Sequence, residues 1–429
     1  MKNKTRKVLT LVLLVVCCLV IFASCSTKRA DFFEYSEEDL GLMGKLVLSM
    51  HKWIGNYGWT VVVFTVFLKI VMLPLDFWQR YSSRKSSLKM QQMQPIIESI
   101  DRRFGANTQR ANEEKRKLYN KQGYSMAAMC LPMIISMVIF FIMFGGLRNY
   151  STYSSVRNFQ DLSREYYEVY EQEIIGIGGE LAGEYQAAFD RVYASAIGES
   201  SDSEEVAILK ARISGVSAAN AFDAEACTSA ETAALEAVKT FYESHHESWL
   251  WIQNVWQPDT WANIMQPYTG NALAGNGFST AVDLSTYPGG DKGEAIYNKI
   301  RGAVLETGAR GDSGKWNGLM ILPFMSIGLS FFSMWISQRM ERKNRKGETV
   351  QAQNQQQAAQ NKTMMIIMPL MMAYFGFIYT GAFAIYMVVN YLLSILTTIT
   401  LRYPVEKLVQ KQLVKEEQKN NSNKASYMR

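Results

Sequence analysis

Apolar positions in this chain come in long unbroken blocks, separated by segments dense in charge. The most informative block is VVVFTVFLKIVMLPL, residues 61–75, which carries one charge, Lys69, well inside it. An ionised side chain at bilayer depth costs at least ~2.5–3.5 kcal/mol, so it normally faces a polar cavity or an internal partner. Blocks at 125–147 and 317–337 contain no charge, and neither does the run of 37 residues from Met364 to Thr400. One helix of that length would be ~55 Å long against a hydrocarbon core of ~30 Å, so it must divide into two spans. Tyr379-Thr380-Gly381 is the natural turn. The pattern predicts an all-α polytopic membrane protein with a five-helix transmembrane core at 56–76, 125–147, 317–337, 364–379 and 382–401.

Between the spans, 77–124 reads as a cytoplasmic helical hairpin. Met90, Met93, Ile97, Ile100 and Phe104 form its one apolar stripe, and Pro95 is expected to kink the first helix or mark its start. Residues 25–55 form a short outer segment whose Met43, Leu46, Val47 and Met50 share a face of an interfacial helix. Trp53, Tyr57 and Trp59 suit the headgroup level. Residues 148–316 make a mostly helical insert, with faces at Leu181, Tyr185, Phe189, Val192 and Ala196 and at Val206, Leu209 and Ile213. Residues 270–312 read as loop with one short helix.

Charge then orients the chain. The hairpin, the 338–363 loop and the 402–429 tail are basic, whereas 148–316 is rich in Asp and Glu. The positive-inside rule places the basic segments in the cytoplasm and the insert outside. The tail starts as a helical extension of the last span and is expected to end disordered. It suits anionic lipid or ribosomal RNA, or serves only as a topogenic flank.

Residues 1–24 combine a basic start with the apolar VLTLVLLVVCCLVIF, a lipoprotein-type signal peptide pattern that ends in Phe22-Ala23-Ser24-Cys25. Cys25 is the expected lipidation site; the alternative is an uncleaved signal anchor. That makes a cell-membrane protein with its N-terminus outside and lipid-anchored and its C-terminus cytoplasmic. The five cysteines form no metal-ligand spacing, His245-His246 reads as a solvated surface pair, and no nucleophile–base constellation stands out. The expectation is no metal, no cofactor and no enzyme.

Ordered motifs across residues 53–400, the insert apart, resemble the YidC/Oxa/Alb-type membrane protein insertases, in the lipoprotein-signal, five-span form of Gram-positive-type bacteria. They are Asn56-Tyr57-Gly58-Trp59 with Thr65, Lys69 and Pro74-Leu75, then Met90 to Pro95, and Cys130-Leu131-Pro132 with Ile139-Phe140-Phe141. Trp249 to Ile252 with Gln257-Pro258-Asp259, Leu322-Pro323, and Met368-Pro369 with Phe375-Gly376-Phe377, Gly381, Tyr386 and Asn390 continue the series. The family usually has Arg in place of Lys69, often Gln at Ser136 and at Ser333, and Tyr-Trp at Tyr386-Met387.

The resemblance implies a hydrophilic groove, open to the cytoplasm and to lipid and closed outward. Its candidate lining is Lys69, Thr65, Ser136, Ser333, Tyr386 and Asn390, with Ser326, Ser330 and Thr397 as further polar groups. Lys69 would draw a client's short polar, often acidic, outer segment partway into the membrane, a medium of reduced dielectric. The client's apolar span would then partition into lipid without nucleotide. Lys69 as a residue snorkelling to the cytoplasmic interface is the competing reading. Implied partners are nascent membrane proteins, membrane lipids, and the Sec translocon and ribosome, with the chain a monomer. A transporter or channel, or a lipid scramblase, would use the same polar groove.

Overall fold

The computed structural model describes residues 30–33, 35–104, 108–121, 126–199, 203–261, 263–269, 277–280, 282–284, 287, 292–306, 316–344, 374 and 376–427. The signal peptide, Cys25, most of 338–363 and most of the expected 364–379 span lie outside them. The described chain is almost wholly helical. Its helices are α1 (Leu42–Ile54), α2 (Tyr57–Phe104), α3 (Thr108–Lys121), α4 (Met126–Ile177), α5 (Gly179–Glu199), α6 (Glu204–Phe222), α7 (Thr228–His245), α8 (Lys292–Glu306), α9 (Ile321–Asn344) and α10 (Gly381–Tyr427). One parallel pair, β1 (Ala30–Asp31) with β2 (Val282–Asp283), completes it. Among the described residues two stretches are long and apolar enough to cross a membrane, Tyr57–Met90 and Gly381–Lys415; Ile321–Ser337 is apolar but shorter.

Several helices run past their expected ends. The first apolar block and the first hairpin helix are one helix, α2, with Pro74 and Pro95 inside it. Proline removes one backbone bond but leaves the helix on either side free to form. The second block does not stop at 147, because α4 continues to Ile177 with buried aromatic residues at three- and four-residue steps. The tail is helical to Tyr427 and passes through Pro404.

The chain forms two compact units. The larger comprises Phe22–Phe64 and Met143–Val389. Its spine is the second half of α4, whose Val156, Phe159, Leu162, Tyr166, Tyr167, Tyr170 and Ile174 are all buried in one core. Helices α5 to α8 pack on this spine, with Leu181, Tyr185, Leu209 and Ile213 among the buried contacts. Phe32 and Phe33, just after β1, enter the same core, so this part of the N-terminal segment packs into the insert's fold. Tyr287 donates a 2.7 Å hydrogen bond to Tyr167, and burial holds both phenols well above the usual tyrosine range. The His245 and His246 rings stack on Phe241 and Tyr242. In α1, Val47 is buried as expected, together with Leu48.

One short segment, 247–260, serves the starts of three apolar helices. Glu247 accepts from the Tyr57 N–H at the start of α2 at 2.8 Å, and Asn56 donates to the Ser248 carbonyl at 3.2 Å. The buried Asp259 accepts from the Leu319 and Leu322 N–H groups, at 2.9 and 2.8 Å, where α9 begins. Asn317 is also buried, and its side-chain amide donates to the carbonyls of Asn254, Gln257 and Pro258. At α10 the Gly381 and Ala382 N–H groups donate to the Gln257 and Val255 carbonyls, at 2.7 and 2.8 Å. Side chains are excluded at the closest approaches: a Cβ on Gly58 would lie 2.1 Å from the Trp249 ring, and one on Gly318 2.0 Å from the Asp259 carboxylate. A helix start leaves N–H groups without intrahelical acceptors. Where water is scarce, each needs another partner.

The smaller unit comprises Thr65–Ile142 and Asn390–Arg429 among its described parts. In its helical hairpin Met93 and Ile97 are buried against Leu118 and Tyr119, with Met90 beside them. Ile100 and Phe104 stay half-buried, and Lys115 pairs with Asp101 at 2.5 Å.

Replacing Asp259 tests the segment's role. Asp259→Ala removes the acceptor of the buried Leu322 N–H and of the part-buried Leu319 and Trp251 N–H groups. It should cost ~2–4 kcal/mol, at ~1–3 kcal/mol for a buried group left unsatisfied and less for the others. Asp259→Asn keeps one acceptor oxygen and should cost less. Thermal unfolding in detergent measures both, and an Ala variant as stable as the parent would contradict the account.

Candidate functional site

Within the smaller unit the polar residues of α2 and α10 meet. Lys69 sits in the apolar part of α2 and its side chain is only 15% exposed. Its ammonium lies 2.7 Å from a carboxylate oxygen of Asp76, itself 13% exposed, and donates to the Ser394 hydroxyl of α10 at 3.1 Å. Lys69 and Asp76 are seven residues apart, two helical turns, so both lie on one face, and the flexible lysine stem spans the distance. Asp76, the last residue of the 56–76 block, is thus an internal partner of Lys69. Lys69 has a resident counter-ion and points along the helix toward it.

The same face continues with Arg80 and Arg84, each four residues after the previous charge. Arg80 donates to the Thr397 hydroxyl at 3.4 Å and interacts electrostatically with Asp76. Arg84 forms a two-pronged pair with Glu406 of α10, at 2.8 and 3.0 Å. Tyr81 and Lys85 both donate to the side-chain oxygen of Gln412. On α10, Thr397 and Thr398 turn their hydroxyls back to the Ser394 carbonyl, at 3.1 and 2.6 Å. Helical threonines satisfy themselves this way when no water competes.

The sequence-predicted residues divide between the units. Thr65, buried, and Asn390, half-buried, belong to the unit that holds Lys69. Tyr386, buried, and Ser333, half-buried, belong to the larger unit. Ser136 lies on α4, but its side chain is outside the described residues. Ser326 is buried and donates to the Pro323 carbonyl of its own helix at 2.8 Å. Sequence reasoning missed Asp76, Arg80, Ser394, Arg84 and Glu406. The spacing 69, 76, 80, 84 was the available signal, since steps of seven and four keep charges on one helix face. Among the described residues no group of three or more His, Cys, Asp or Glu side chains could hold a metal ion.

Long apolar helices, one of them with an internal ion pair and a polar face, fit an α-helical membrane protein. The chain belongs to the 60Kd inner membrane protein family, whose model matches residues 49–177 and 232–408. The unmatched stretch between them holds α5, α6 and the start of α7. The chain is similar to membrane protein insertase YidC of Caldanaerobacter subterraneus, 34% identical over 113 residues, 26% of this chain and 53% of that one. It is similar to the Endomicrobium trichonymphae protein of the same name, 34% identical over 113 residues, 25% of this chain and 21% of that one. The Nitratidesulfovibrio vulgaris protein, also so named, is 33% identical over 99 residues, 23% of this chain and 18% of that one. Each match thus spans at most about half the relative's length. No solved structure matches.

The Lys69–Asp76 pair makes a direct prediction. Lys69→Ala strands a buried carboxylate and should cost ~3–5 kcal/mol. Lys69→Ala combined with Asp76→Ala removes both charges and should recover most of that loss. Thermal unfolding of the purified variants decides it; a double variant no more stable than the single would mean the two charges are not coupled.

Proposed function

We propose that the chain is a membrane protein insertase, which places integral membrane proteins in the bilayer of a bacterial cell and helps them fold. The supporting observation is a lysine held in a hydroxyl-rich, charge-paired face of an apolar helix, in a chain of a family whose named relatives are insertases. A client's short polar outer segment enters this face from the cytoplasm. Inside, Coulomb attraction is several-fold stronger than in water. The client's apolar span slides into lipid, and its own transfer free energy drives release, at roughly 25 cal/mol for each Å² of apolar surface taken from water.

In this reading five spans form the core, at the boundaries set by the apolar blocks. Lys69, Thr65, Ser136, Ser333, Tyr386 and Asn390 line the groove. The 77–124 hairpin and the basic tail are cytoplasmic, the 148–316 insert is outside, and Cys25 carries the lipid. The protein acts as a monomer on nascent chains, alone or together with the Sec translocon and ribosome. It uses no cofactor and forms no covalent intermediate. Segment 247–260 holds the starts of α2, α9 and α10 together.

Two experiments test this. In reconstituted vesicles, the protein should convert a short single-span client to a protease-protected form without nucleotide, and failure with every such client would overturn the insertase reading. Single cysteines placed at Ser200 and Arg345, with the native cysteines other than Cys25 replaced, should label from outside and from the cytoplasm respectively. The reverse labelling would remove the five-span topology.

A further inference from the structure

Lys69 is not a free cation waiting for a client. Its ammonium is held by Asp76 at 2.7 Å, and both side chains are largely buried. A client carboxylate that takes Lys69 must displace Asp76, and a buried carboxylate left without a partner is strongly unfavourable. The next positive group along the same face is Arg80, four residues beyond Asp76, one turn of helix away. Among the described residues its guanidinium has no carboxylate within ion-pair distance; its hydrogen bond goes to the Thr397 hydroxyl at 3.4 Å, at the long limit of such bonds. It nevertheless feels the field of Asp76. Arg84, the next cation, is already occupied by both oxygens of Glu406.

We propose that Asp76 is an exchangeable counter-ion: an acidic client segment takes Lys69, and Asp76 swings one turn along α2 to Arg80. Before the exchange Arg80 alone of these charges lacks an ion-pair partner among the described residues; after it, each of them has one. On α2, Lys69 pairs with Asp76 and Arg84 with Glu406, so Arg80 is the place for the displaced carboxylate once the client supplies one for Lys69. A client without an acidic residue cannot complete the exchange and leaves the Lys69–Asp76 pair closed. Asp76 thus makes the groove discriminate between acidic and neutral outer segments, and Arg80 is a positioning residue that receives the displaced carboxylate. The inference rests on the insertase reading.

The test is the ratio of protease-protected acidic-tailed client to neutral-tailed client, measured together in one vesicle preparation so that the amount of folded protein cancels. Asp76→Asn uncovers Lys69 and should raise the ratio several-fold. Asp76→Glu restores the counter-ion and should return the ratio toward that of the parent. Arg80→Gln removes the receiving site and should lower it, but should have no further effect when combined with Asp76→Asn, a coupling the double-variant cycle reads directly. An unchanged ratio in Asp76→Asn would overturn the proposal, as would an equal Arg80→Gln effect with and without Asp76, which would make Arg80 a direct client contact. If the parent protein protects neither client, the insertase reading itself fails, and that outcome is distinct from the other two.

Discussion

Backbone amides at helix starts dominate this structure. The first N–H groups of a helix have no acceptor within it, and in or near a bilayer water does not reliably supply one. Three apolar helices solve the problem with one shared segment, 247–260. Glu247 serves α2, Asp259 and Asn317 secure α9, and the Gln257 and Val255 carbonyls receive the first amides of α10. Each acceptor also ties its helix to the others, so satisfying hydrogen bonds fixes geometry. The glycines at 58 and 318 belong to the same constraint, since a side chain at either place would collide with Trp249 or Asp259.

The same economy of polar groups governs the charged face of the smaller unit. Four ionised residues on one side of α2 would be prohibitive if left bare. Instead Asp76 neutralises Lys69, Glu406 neutralises Arg84, and hydroxyls of Ser394 and Thr397 meet the remaining donors. The face therefore stays polar without a large net charge. Under the proposed insertase function, that condition suits holding a client's polar segment and then releasing it, because very strong binding would oppose release.

Much of this was legible before any coordinates. Block length and charge content identified an all-α chain with membrane-crossing helices, and the charge at residue 69 marked the helix of interest. The stripe through Met93 and Ile97 foretold the hairpin seam, and Val47 the buried side of α1. Helix ends were read less well. Hydropathy reports where apolar residues stop, whereas a helix stops only where its backbone hydrogen bonding does, so α2 and α4 run on through polar sequence. Pro95, expected to kink the first hairpin helix or mark its start, lies well inside α2.

The sequence by itself determined the class of protein, its apolar helices and the residue whose burial demands an explanation. These follow from local composition and from the cost of placing a charge in hydrocarbon. Only the tertiary structure decided who partners whom. That Phe32 enters the core of the insert, that Asp259 holds the start of α9, and that Ser394 meets Lys69 from the far end of the chain are contacts between distant positions. No periodicity encodes them. Asp76 is the instructive exception: its spacing from Lys69 was visible, but which neighbour a long flexible lysine chooses is settled by the packing around it.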